Sequence, residues 1–418
     1  DSLRSLGEAW TYEGPLGGLV RRGLAAGADD APDTEARAVG ARVVPVLRVN
    51  PGVGVEGGLG LGLRAGPLAV TPKALLRSVD GGLSLSADAR LRLVRGDRVG
   101  LTAEADVADD VARRAPTFGP SVLQILDGRG GYYDRRRVGA GLRGTLGSLG
   151  STRLSGILAL PLRAEAAARV VAETAQTFRP LDLLGPGPLD ADRLALGPDG
   201  QTVTTRSVQA ELAVGTLGAP LGALPRRAVR VAAEVGDWSG EGPYWTVGGA
   251  LDGRVNTFAR RRALPPALDV RLVGEIGGGA LPLTRLPSVE GMLAEGGVGV
   301  SQFGALRART GVPYEGDATA AVFWEHAFRS VLFEVLGLRA LAERGYGLSL
   351  HGAHARTWID ADRRADLERF GYVLSTPSGW HHELGAGLTG LFGVLRLDVT
   401  TRLDTRQTTV GVGVSQLF

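Results

Sequence analysis

The chain ends in Thr408-Thr409-Val410-Gly411-Val412-Gly413-Val414-Ser415-Gln416-Leu417-Phe418, a stretch that alternates strictly. In an extended strand Val410, Val412, Val414 and Phe418 share one face, and Thr409, Gly411, Gly413 and Ser415 share the other. An apolar outer face backed by a small or polar inner face suits the wall of a barrel that closes in lipid. The same period returns upstream. In 82–94, Leu83, Leu85, Ala87, Ala89, Leu91 and Leu93 oppose Ser84, Ser86, Asp88, Arg90 and Arg92. In 393–402, Leu395, Leu397 and Val399 oppose Arg396, Asp398, Thr400 and Arg402. Charges of both signs on the second face are intolerable in hydrocarbon and ordinary in a watery lumen.

Working back from the last strand, alternation starts at Ala41 and gives about sixteen segments of membrane-strand length. They are 41–49, 53–64, 68–76, 82–94, 98–107, 136–146, 150–163, 201–215, 226–236, 244–258, 267–276, 318–332, 345–356, 381–390, 393–402 and 406–418. Soluble sandwiches alternate too, and loop lengths separate the two folds. The four longest connections, 108–135, 164–200, 277–317 and 357–380, follow the fifth, seventh, eleventh and thirteenth segments. All are odd, as when outer loops are long and inner turns short. The run Ala164 to Glu173 has the composition of a short loop helix. The predicted fold is all-β: an antiparallel transmembrane barrel over 41–418 with long extracellular loops. Residues 1–40 are a periplasmic lead-in or plug-like segment, and 277–317 is a loop that folds into the lumen.

Composition narrows function. Gly is 64 of 418 residues, roughly double the usual share of about 7%. Apolar runs are broken well before the ~18 residues a spanning helix needs. Cys is absent, which fits an exported protein. Of 47 basic residues only Lys73 is a lysine. The arginines suit a wet lumen or lipid phosphates, and no basic cluster is interleaved with aromatics as nucleic-acid binding requires.

A resemblance enters at residues 296–332: Gly296-Gly297-Val298-Gly299, Gly304-Ala305-Leu306-Arg307-Ala308, Tyr314-Glu315-Gly316-Asp317, and Ala320-Ala321-Val322-Phe323-Trp324-Glu325-His326. This region resembles the sixth loop and twelfth strand of the BamA/TamA/FhaC outer-membrane superfamily. It is also similar to relatives whose barrel follows a carboxypeptidase-regulatory-like domain. The tip Leu306-Arg307-Ala308-Arg309 departs from the family motif, lacking its Gly and aromatic. The resemblance implies that Arg307 reaches into the lumen and pairs with Glu325 or Asp317, locking the loop. It also implies that Val410, Val412, Val414 and Phe418 close the barrel and serve as the signal read by the barrel-assembly machinery.

Other polar groups carry weaker readings. His351 and His354 are three apart on a strand, so they face opposite sides and share no metal. His381 and Glu383 share a side without a third ligand, and Ser349 with His351 lacks an assignable acid. No catalytic set, metal or cofactor is expected. The reading is an outer-membrane barrel that assembles, inserts or translocates proteins or lipids within a larger complex. Its expected partners are outer-membrane lipids including lipopolysaccharide, periplasmic or lipoprotein subunits, and no nucleic acid. The alternatives are a small-solute pore, with the lumen charges Arg396, Asp398 and Arg402 setting selectivity, and a surface or periplasmic anchor.

Overall fold

The computed structural model describes residues 39–414 apart from 51–53, 79–80, 97, 114–131, 154–158, 178–201, 217–226, 259–264, 296–297, 311–312, 370–371, 373 and 394. The expected lead-in 1–40 lies outside the described residues save its last two, and so does Phe418. The wall strands are β1 Val39–Asn50, β2 Gly54–Ala65, β3 Leu68–Arg77, β4 Leu83–Val94, β5 Val99–Arg113 and β6 Tyr132–Arg153. Next come β7 Ala159–Thr177, β8 Thr202–Gly215, β9 Arg227–Trp238, β10 Gly242–Asn256 and β11 Ala267–Gly279. The last five are β12 Ala318–Arg329, β13 Gly347–Trp358, β14 His381–Leu391, β15 Leu395–Arg402 and β16 Thr408–Val414. Each pairs antiparallel with the next, in sequence order, from β1 to β16.

The two faces differ as the alternation requires. Leu83, Leu85 and Leu93 are 53%, 46% and 50% exposed on β4, whereas Ser84 between them is 3% exposed. On β15, Leu395, Leu397 and Val399 point outward while Arg396, Asp398 and Thr400 are buried. Apolar side chains thus meet the surroundings and polar ones pack inside, the inverse of a soluble sheet. No described helix is long and apolar enough to cross a membrane.

Two expectations change. The predicted helix over 164–173 is part of β7, paired with β6 along one edge and β8 along the other. The strand runs on through the turn expected at 147–149, so that β6 reaches Arg153 and β7 spans Ala159–Thr177, both longer than the sequence suggested. Glu165, Arg169 and Glu173 are four apart, a spacing that marks one face of a helix and equally one face of a strand. Alanine-rich composition tips an isolated segment to helix, but two hydrogen-bonding neighbours override propensity. The second change concerns closure. Among the described residues no pairing joins β1 to β16, and the outer edge of β16 pairs in parallel with Val298–Val300 of the loop after β11.

That loop, 280–317, is the second layer of the structure. It carries a 3-10 turn at Leu283–Arg285 and short strands Ser288–Val289, Gly291–Glu295, Val298–Val300, Leu306–Thr310 and Tyr314–Glu315. Val289, Leu306 and Tyr314 from the loop pack with Ala321, Phe323, Ala353 and Ala355 on the inner faces of β12 and β13. Two short helices, α1 Val331–Val335 and α2 Arg339–Glu343, connect β12 to β13, and α3 Ala361–Arg369 follows β13.

Candidate functional site

Arg307 is the centre of a buried polar cluster between the loop and strands β12 to β16. Its Nη2 donates to Glu325 Oε2 at 2.7 Å, and its Nη1 lies 4.0 Å from Asp398 Oδ1. Arg396 from β15 donates through Nε to Asp398 Oδ1 at 2.6 Å and through Nη1 to Glu325 Oε1. Two guanidinium groups therefore face two carboxylates, all no more than 5% exposed. At that burial the charges are tolerable only because each has opposite charge beside it.

The loop backbone is held as firmly as the side chain. Glu383 on β14 accepts Arg307 N–H on Oε1 and Ala308 N–H on Oε2, both at 2.8 Å. Thr409 Oγ1 on β16 donates to the Arg307 carbonyl at 2.8 Å. Ser301 Oγ donates to Asp398. His351 fills the remaining space, with Nε2 2.8 Å from Thr400 Oγ1. Room for these groups comes from glycine on the β14 inner face. A Cβ on Gly387 would stand 2.7 Å from Ser349 Oγ and 2.9 Å from Arg396 Nη2, and would strike Asp398.

A second anchor lies across the inner face. Arg285, in the 3-10 turn, reaches Glu173 on β7 at 3.2 Å and Glu234 on β9 at 3.1 Å, and Tyr244 OH donates to Glu234 at 2.8 Å. Burial opposes the Arg285 charge, but the carboxylates of Glu173 and Glu234 outweigh it and hold the guanidinium well above its ordinary pKa. Leu281, Leu283 and Leu286 pack beside it with Tyr372 and Leu374 from the loop after β13. One loop thus touches the wall from β7 to β16. Arg285→Ala leaves Glu173 and Glu234 without this cation, and we expect a loss of about 3 kcal/mol, read as a lower urea midpoint in detergent.

Arg307 and Glu325 meet. Asp317 does not join them: it forms an ion pair with Arg363 of α3 at 2.8 Å and accepts the Asp360 N–H at 3.0 Å. Arg396 and Asp398 are sealed beneath the loop rather than lining open water, and Arg402 pairs with Asp404 at 2.6 Å. Val410 and Val412 stand on the outward side of β16; the side chain of Val414 and the whole of Phe418 lie outside the described residues. His381 Nε2 meets Glu383 at 3.1 Å and Nδ1 meets Tyr314 OH at 3.2 Å, so this pair supports the loop. Ser349 hydrogen-bonds the Gly387 carbonyl and not His351. Sequence reasoning missed Glu383, Thr409, Ser301 and Arg285 as loop anchors.

No protein-family profile and no curated protein sequence matches the chain. Among solved structures it is similar to BamA from Haemophilus ducreyi lacking POTRA domains 1–3, at 10% identity and a TM-score of 0.45, over 96% of this chain and 82% of that one. It is also similar to CdiB from Acinetobacter baumannii, at 12% identity and a TM-score of 0.40, over 95% of this chain and 66% of that one.

Proposed function

We propose that the chain is an outer-membrane β-barrel that assembles, inserts or translocates proteins, working with partner subunits and performing no bond chemistry of its own. The outward apolar faces of β1 to β16 support placement in lipid, with lipopolysaccharide among the surrounding molecules. The observation that carries the functional reading is the edge of β16. It is held by three residues of the chain's own loop and, among the described residues, not by β1. An edge held by a short strand of a tethered loop is one that can exchange strands, as an assembly machine requires. The motif resemblance of residues 296–332 agrees with this reading. A solute pore selected by Arg396 and Asp398 fits less well, because both sit beneath the loop at 5% and 1% exposure.

The test is gentle purification from native membranes followed by identification of whatever stays bound in fixed proportion. Periplasmic or lipoprotein subunits are expected to co-purify. A chain that emerges alone and shows steady single-channel conductance would overturn the proposal in favour of a pore.

A further inference from the structure

The loop strand on the β16 edge has an unusual sequence. Gly297-Val298-Gly299-Val300-Ser301-Gln302-Phe303 repeats Gly411-Val412-Gly413-Val414-Ser415-Gln416 and then, past the single insertion Leu417, the aromatic Phe418. The copy also sits against its original. Val298, Gly299 and Val300 pair in parallel with Val410, Gly411 and Val412. That register is two residues from identity, and because strands have period two a shift of two keeps each residue on its own face.

Past Val300 the copy bends inward. Ser301 N–H donates to the Val412 carbonyl at 2.9 Å, and its hydroxyl donates to Asp398 of the lock. The glycines of β16 make this approach fit. A Cβ on Gly411 would stand 2.7 Å from Ser301 Cβ and 3.1 Å from Met292 Sδ, and one on Gly413 would stand 2.7 Å from the Ser301 carbonyl.

We propose that residues 298–303 are a resident copy of the chain's terminal strand, holding the β16 edge until an extended strand of the same alternating Val/Gly type displaces it. This rests on the assembly reading, since an exchangeable edge matters only in a wall that opens. A parallel pairing of three residues is weak in itself. Its advantage is tethering, which gives the copy a high effective concentration at the edge. An incoming strand binds only to the fraction of molecules whose edge is free, so the copy lowers its apparent affinity in proportion. Displacement would also pull on Ser301 and the Asp398 contact, linking edge occupancy to the Arg307 cluster.

The chain has no cysteine, so Val300→Cys with Val412→Cys places one thiol pair at register partners. In the folded protein in detergent we expect this disulfide to form. The peptide Gly-Val-Gly-Val-Ser-Gln-Leu-Phe should suppress it, and a scrambled peptide should not. With the edge freed by Val298→Asp and Val300→Asp, that peptide should bind roughly tenfold more tightly than to the unaltered chain. Heat-modifiable electrophoretic mobility reports that each variant is folded. Failure of the disulfide to form in folded protein overturns the proposal, as does equal peptide affinity with and without the aspartates. If partners still co-purify after such a failure, only the copy is rejected. If displacement succeeds and no partner co-purifies, the assembly reading fails and the copy stands as an edge guard.

Discussion

Arg307→Ala should release the loop tip from the wall and cost about 3–5 kcal/mol, the usual penalty for removing one partner of a buried ion pair. Glu325, 2% exposed, keeps Arg396 but loses the 2.7 Å bond from Arg307. The penalty is therefore the burial of an under-compensated carboxylate more than the loss of one attraction. Two readouts separate local from global effects. Trypsin should cut after Arg309 in the variant far sooner than in the unaltered chain, and the urea midpoint should fall. A second substitution, Glu325→Gln, should restore part of the loss by neutralising the stranded charge, which makes the pair's coupling measurable as a double-mutant cycle. Equal protease protection in Arg307→Ala and the unaltered chain would show that the side chain does not hold the loop.

Alternation made the wall legible because each wall strand has a chemically distinct face, as on β4 and β15, and period two survives any error in strand ends. It failed on β7 because charges four apart satisfy both periods, and alanine favours helix until neighbouring strands supply hydrogen bonds. Within the site, Glu325 was legible because it lies in the strand that follows the loop. Asp317 is nearer still in sequence, but it sits just before β12 and turns to Arg363. Glu383 and Thr409 were out of reach of local reading. They lie 76 and 102 residues from Arg307 and meet it only because β14 and β16 face the loop across the inside of the sheet.

The edge contact shows the same limit from another side. Val-Gly alternation in 298–300 matches the terminal strand, yet pairing between them depends on the loop folding back across the sheet, and no local rule gives that. What sequence supplies is the compatible partner: glycines at 411 and 413, which leave space for a backbone to approach.

Glu383→Ala should be comparably damaging for a different reason. Glu383 is 2% exposed and takes the N–H groups of both Arg307 and Ala308. Its removal leaves two buried backbone donors unpaired, at about 1–3 kcal/mol each. His381 Nε2 loses its partner as well. Glu383→Gln keeps one acceptor but turns an amide N–H toward a backbone N–H, so its cost should fall between that of Ala and none. Hydrogen exchange gives the direct measurement: the amides of Arg307 and Ala308 should lose protection in Glu383→Ala while those in the middle of β12 keep it, since local opening need not involve the wall. Retained protection at 307 and 308 would mean that Thr409 and the Arg307 side chain suffice, and that Glu383 serves His381 and Tyr314 rather than the loop tip. Loss of protection throughout β12 to β16 would mean instead that loop and wall open as one unit, and the edge of β16 would then be freed by unfolding and not by exchange.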